Sequence, residues 1–116
     1  MAKSNSAKLY ELTTLMEQVG PLVTIQTLRT FVMIAMANDE RPGVNMTELG
    51  SRLGLASSTR TNVVKALSVS RAGNGKLPGL DLILTAPDPD DVRAKIVFLT
   101  PKGRRLWASL KNILEV

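Results

Sequence analysis

Ser58, Thr61, Asn62 and Lys65 recur at three- and four-residue steps, which on a helix places two hydroxyls, an amide and an ammonium on one face. That set matches the edges of bases and the oxygens of phosphate. Asn62 can pair with adenine, Lys65 with guanine or phosphate, and the two hydroxyls with either kind of group. Some thirty residues on, Asp88, Asp90 and Asp91 crowd around Arg93 in the stretch PDPDDVRAKIV, Pro87 to Val97. Three carboxylates could in principle hold Mg²⁺, but bunched at a turn that carries Pro87 and Pro89 they are turn-forming residues first. The chain holds neither cysteine nor histidine. Thiolate nucleophiles, disulfides and the commonest base and metal ligand are therefore out, and catalysis would fall to paired carboxylates, an activated lysine or a serine with a lysine base. No catalytic residue, metal or cofactor is expected.

The charge distribution points the same way. The formal net charge is +5, and after Glu48 no acid occurs until Asp81, while the interval holds Arg52, Arg60, Lys65, Arg71 and Lys76. A solvated face normally mixes signs, so this asymmetry implies an anionic partner. The N-terminal residues lack a secretory apolar stretch, and no run approaches the ~18 apolar residues that span a bilayer, so a cytoplasmic protein without membrane contact is expected.

These groups need elements to hold them. The 116 residues, 44% of them hydrophobic, are enough for one domain, expected over residues 8–116 after a disordered lead-in, 1–7. Leu9, Leu12, Met16 and Val19 form one narrow helical stripe, facing either the chain's own core or a second copy, up to Gly20-Pro21. Thr24 caps a second helix with Ile25, Leu28, Phe31, Val32, Ala35 and Met36 on its buried side, closed by the connector Asn38–Gly43. Asn45 with Glu48 makes a capping box and Val44 staples onto Leu49, starting a short helix that Gly54 stops. Gly50 is small enough for a close helix approach. Ser57 or Ser58 caps the next helix, about 57–69, and the pair reads as a helix-turn-helix with a plain helical hairpin as the alternative. Residues 70–79, rich in glycine, form a loop. DLILTA and KIVFLT are two strands of a hairpin, about 82–99, and Thr100-Pro101 opens a last helix carrying Leu106, Trp107, Leu110, Ile113 and Leu114. The expected class is mainly α with a small antiparallel β-hairpin, a winged helix-turn-helix.

Two stretches carry a resemblance. Leu49 to Thr59, with its Leu-Gly-Leu and Ser-Thr, followed by DPDDVRAKIVFLTPKG from Asp88 to Gly103, resembles the multiple-antibiotic-resistance regulator (MarR) family over roughly Thr24 to Leu110. The resemblance implies a bacterial or archaeal transcription regulator, usually a homodimer, with the second helix of the motif in the major groove and the wing in the minor groove of double-stranded DNA. It implies that Arg93 enters the minor groove while Asp91, two residues earlier, holds its guanidinium. The candidate DNA-binding residues are thus Ser57, Ser58, Thr59, Arg60, Thr61, Asn62, Lys65, Arg71, Lys76, Arg93 and Lys95, with Asp91 as wing support. Ser57 could equally be only a cap. Arg60 lies near the buried edge of its helix, its stem packed and its head directed to phosphate.

The chain also departs from that pattern. Its first and last helices are short, so a homodimer interface through them would be smaller, built differently or absent, and no effector pocket is carried over. Residues 70–80 lengthen the link to the wing, where Arg71 and Lys76 could add phosphate contacts or cover a partner. Thr85 replaces the usual basic residue of the wing strand. The leading function is a sequence-specific DNA-binding repressor, of bacterial, phage or plasmid origin. Its rivals are a DNA module for replication, packaging or partition, and a winged helix that docks onto a polymerase or another protein assembly.

Overall fold

Thr24 has extended backbone and its hydroxyl accepts the Thr27 N–H at 3.1 Å, so the chain enters helix α2 (Ile25–Glu40) from a satisfied cap. In this computed structural model the described residues are 4–19, 24–68 and 80–114. The elements run α1 (Asn5–Val19), α2, β1 (Val44–Asn45), α3 (Met46–Leu53), α4 (Ser57–Leu67), β2 (Ile83–Asp88), β3 (Asp91–Leu99) and α5 (Pro101–Leu114). The expected mainly α class with a small antiparallel sheet is what folds. Arg71, Lys76 and the loop 70–79 lie outside the described residues, as do Gly20 and Pro21.

Among the described residues the sheet has three strands, not two. The residues before α3 form β1, and the order is β1-β3-β2, antiparallel throughout, with Val44 opposite Val97 and Asn45 opposite Ile96. A two-residue strand is too short to show an alternating pattern, so its partner decides it. Val44 and Leu49 are both buried in the same core, yet Val44 is also a sheet residue.

The core lies where α2, α3, α4 and α5 close over the base of the sheet. Phe31, Ile34, Leu49, Leu67, Leu82, Ile83, Val97 and Leu110 are all but fully buried there. Each such large side chain contributes roughly 1.5–3 kcal/mol relative to exposure. Helix α2 turns a different face inward than its apolar residues imply. Thr27, Thr30, Phe31, Ile34 and Ala35 are buried, whereas Ile25 and Met36 are 84% and 53% exposed. Threonine fits the interior here because its hydroxyl bonds within the helix, as Thr30 does to the Gln26 carbonyl at 2.8 Å. Helix α2 also runs through Asn38 to Glu40, beyond its expected close. Asn38 Oδ1 accepts the Leu99 N–H at 2.7 Å, and Asp39 accepts from the Trp107 indole at 3.0 Å. The end of α2 is thereby locked to β3 and α5.

Helix α1 starts at Asn5, inside the expected lead-in, and lies against α5. Met16 is buried and Leu12, Leu15 and Val19 flank the core, while Leu9 faces away from it. On α5, Leu106 and Leu110 are buried, Trp107 and Ile113 half-buried, and Leu114 exposed.

A seam of main-chain hydrogen bonds crosses the fold at the end of α4. The carbonyls of Ala66, Leu67 and Ser68 accept from the N–H groups of Leu80, Leu82 and Asp81, tying the end of α4 to the start of the wing. Asp81 alone of the described non-glycine residues has positive φ, 57°, a conformation aspartate tolerates better than most. Its carbonyl accepts the Thr100 hydroxyl at 2.7 Å, and the Thr100 oxygen caps α5 by accepting the Gly103 N–H at 2.9 Å.

Candidate nucleic-acid interface

Helices α3 and α4 are joined by a three-residue turn, Gly54 to Ala56. Gly54 has φ 67°, ψ 29°, and its N–H closes the last turn of α3. That left-handed conformation favours glycine, so the short connection depends on the residue type found there. The start of α4 differs from expectation. Its N-cap is Ala56, without a side-chain bond, and Ser57 is already helical. Ser57 contributes its carbonyl, which accepts the Thr61 hydroxyl at 2.9 Å.

Two registers run along α4. Ser58, Thr61, Asn62 and Lys65 are all exposed, while Val63, Val64 and Leu67 are buried. Both follow the 3.6-residue period, so a helix docked by its apolar side must present the polar set outward. Thr61 already donates its hydroxyl proton to the helix and can only accept from a ligand without turning. Ser58, Asn62 and Lys65 make no side-chain bond among the described residues and are open to a partner. Thr59 is half-buried beside this face.

Arg60 stands at the first position of the buried register, 60-63-64-67, which accounts for its packed stem. Its guanidinium lies over α3: a Cβ on Gly50 would meet Arg60 Nη1 at 2.7 Å and Cδ at 2.9 Å. Gly50 therefore makes room for this arginine rather than for direct helix contact. Arg60 Nη2 stands 3.5 Å from Ser57 Oγ, and the buried Nε has no partner. The head thus rests against the motif in the free protein.

Arg52, counted in the acid-free interval, is less available than its position implies. Glu48 is the partner, 3.0 Å from Arg52 and 2.7 Å from Arg41. The Glu48 carboxylate is drawn into these pairs, so it does not reach back to complete the capping box. Asn45 Oδ1 alone caps α3, accepting from Thr47 and Glu48 at 2.8 and 3.4 Å. The hydrogen bond from Arg41 holds the Glu48 carboxyl below its ordinary value of 4.5; desolvation opposes it, and the charges of Arg41 and Arg52 and the hydrogen bond from Arg52 add to the lowering. A lowered carboxylate stabilises the fold above its unfolded-state value and loses that contribution as pH falls through the lower folded-state value. Glu48→Gln should accordingly melt slightly below the parent at pH 7, with the gap closing below about pH 4. Thermal melts of both proteins across that range, at low salt, check it.

The wing is β2 and β3 with Pro89-Asp90 at the turn. The pairing runs regularly from Ile83 opposite Leu99 to Pro87 opposite Lys95, then jumps to Asp88 opposite Asp91. Residues 92–94 are left without partners on β2, so Arg93 is carried on a bulge, a device that re-aims a side chain and bends its strand. This changes the role of Asp91. Its Oδ1 accepts the backbone N–H of Arg93 at 3.0 Å, a donor that the bulge leaves without a strand partner. Asp91 holds the main chain of the wing and not the guanidinium. Arg93 and Lys95 are exposed, with no ion pair among the described residues. Asp88 Oδ1 accepts the Asp90 N–H at 2.9 Å, so the Asp88 side chain shapes the turn. Among the described residues no group of three or more acids could hold a metal ion, and no helix is long and apolar enough to cross a membrane.

The chain matches no protein-family model, and no curated protein matches it. Solved structures do match in shape. MepR of S. aureus, in a complex with DNA, superposes with a TM-score of 0.71 at 18% identity, over 95% of this chain and 78% of that one. The PcaV transcriptional regulator of Streptomyces coelicolor gives 0.59 at 23% identity, over 95% and 71%. The transcriptional repressor CouR, bound to a 23-mer DNA duplex, gives 0.60 at 24% identity, over 95% and 66%. At such identities the likeness is one of architecture: this chain has the winged helix-turn-helix fold of the MarR-type regulators.

Proposed function

We propose that this protein is a sequence-specific, double-stranded-DNA-binding transcription repressor of bacterial, phage or plasmid origin, acting in the cytoplasm. The observation that carries the reading is the division of α4: Ser58, Thr61, Asn62 and Lys65 exposed on one register, against Val63, Val64 and Leu67 buried on the other. A solvated helix gains nothing from an acid-free polar face, whereas a helix in the major groove requires one. Lys65 and Asn62 read or anchor, Ser58 and Thr61 bond phosphate or base edges, and Arg93 with Lys95 engages the duplex from the wing. Arg60 turns from Gly50 to phosphate on binding. Arg71 and Lys76 add phosphate contacts.

Two further features support it. The solved structures that share this shape include MepR and CouR with DNA bound. Leu9, Tyr10 and Leu114 are exposed on α1 and α5, the two helices through which we propose the chain forms a homodimer. A dimer would read half-sites about one helical turn, ~10 bp, apart.

Selection of bound duplexes from a random pool tests the reading directly. A palindromic consensus supports the dimeric regulator, an asymmetric box a monomer, and no enrichment overturns sequence-specific binding. Mapping of sites at an origin or packaging end rather than at promoters would favour the replication or partition module. The salt response separates DNA from protein docking. With ~6 phosphate contacts, log affinity should fall against log salt with a slope near −5. Titration at four or five salt concentrations measures it, and a flat response would favour docking onto a protein assembly.

A further inference from the structure

Asn45 belongs to two parts of the interface at once. Its backbone lies in β1 opposite Ile96, and its Oδ1 caps α3 through the N–H groups of Thr47 and Glu48. Those donors settle the orientation of the amide, leaving Nδ2 to point the other way. Nδ2 donates to Asp88 Oδ2 at 3.2 Å, a partly buried bond between residues 43 apart in sequence. The second oxygen of Asp88 accepts from Asp90 and shapes the turn. One planar amide therefore joins the first helix of the motif to the tip of the wing, although β3 lies between their strands.

The tip has little else to hold it. Pro87, Pro89, Asp90, Asp91, Arg93 and Lys95 are exposed, and a two-stranded ribbon is marginal by itself. Among the described residues no other side-chain hydrogen bond or ion pair links 88–95 to the helices. A hydrogen bond to a carboxylate is stronger than one between neutral groups. Resting on the reading that α4 and the wing grip one duplex together, we propose that Asn45 is a positioning residue. Its amide sets the angle of the wing, and so the reach of Arg93, relative to the helix-turn-helix.

Asn45→Ser separates this role from capping. Serine caps a helix about as well as asparagine, and the substitution removes the donor to Asp88 without changing charge. The expected result is a melting temperature close to the parent's, faster hydrogen exchange at the Asp90 and Arg93 N–H groups, and duplex affinity roughly 3- to 10-fold lower. In an Arg93→Ala background the same substitution should weaken binding by less than about two-fold, because its effect runs through Arg93. A purely structural cap would give additive losses, and additivity overturns the proposal.

The exchange pair supplies an independent check should Asn45→Ser melt well below the parent. Asn45→Asp alone sets two carboxylates facing each other and should bind worst. Combined with Asp88→Asn it restores a donor and an acceptor at the parent's net charge, and affinity should return to within about two-fold. No recovery overturns the proposal. A parent protein that binds no duplex overturns the functional reading and this inference with it. A parent that binds while Asn45→Ser binds equally well overturns the inference alone.

Discussion

Gly103→Ala is expected to lower the melting temperature by more than about 10 °C, the equivalent of at least ~3 kcal/mol in a domain of this size. Gly103 is buried near the start of α5, and a Cβ there would stand 2.1 Å from the Leu82 carbonyl oxygen and 3.1 Å from its carbon. Helix propensity alone predicts the opposite sign, since alanine in a helix is favoured over glycine by ~1 kcal/mol. The contact decides it, because the obstacle is main chain and cannot rotate away. The Leu82 carbonyl accepts the Thr100 N–H at 3.0 Å, while the Leu82 N–H donates to the Leu67 carbonyl at 2.8 Å. Making room would part α5 from the seam that joins α4 to the wing. The cost exceeds the ~1–3 kcal/mol of ordinary overpacking, where side chains share the adjustment. A thermal or denaturant melt measures it, and a variant that melts at or above the parent would show that the seam is loose.

Arg93→Ala is expected to weaken specific duplex binding by ~1–3 kcal/mol, roughly 5- to 150-fold, with little change in stability. The side chain is exposed, so its removal takes nothing from the core. Its position is not casual: the bulge frees residues 92–94 from β2, and Asp91 clamps the Arg93 N–H at 3.0 Å. A planar guanidinium carried there suits a narrow minor groove, where the negative potential is strongest. Among the described residues no aspartate grips the guanidinium, since Asp91 is directed to the backbone. Mobility-shift titration at fixed salt is the measurement. Equal affinity of variant and parent would remove the wing from the interface, leaving α4 as its sole reader.

The Leu-Thr-Pro-Lys-Gly stretch, Leu99 to Gly103, shows how far residue types alone can lead. Threonine before proline marks the start of a helix from local chemistry, and Thr100 indeed caps α5. Nothing local explains the lysine or the glycine. Lys102 Nζ reaches the Leu80 carbonyl at 3.1 Å, and Gly103 meets Leu82. Those partners lie some twenty residues away in sequence and are visible only once the chain has closed on itself.

The same boundary runs through the candidate site. By itself the sequence determined the helices, their caps at Thr24, Asn45 and Thr100, the turn at Gly54, and the split of α4 into 58-61-62-65 against 63-64-67. Each of these depends on a helical period or on bonds within a few residues. Only the tertiary structure decided that Val44 and Asn45 pair with β3, that Glu48 neutralises Arg52 instead of completing a capping box, that Gly50 receives Arg60, and that Asp91 holds an N–H rather than a guanidinium. It also placed Ile25 and Met36 outside the core in favour of Thr27 and Thr30. The reason is physical: an apolar period says that a face will be covered, and a charge says that it wants a partner. Which partner it meets is settled by groups brought together across the fold, where one strand two residues long or one bulge redirects every bond around it.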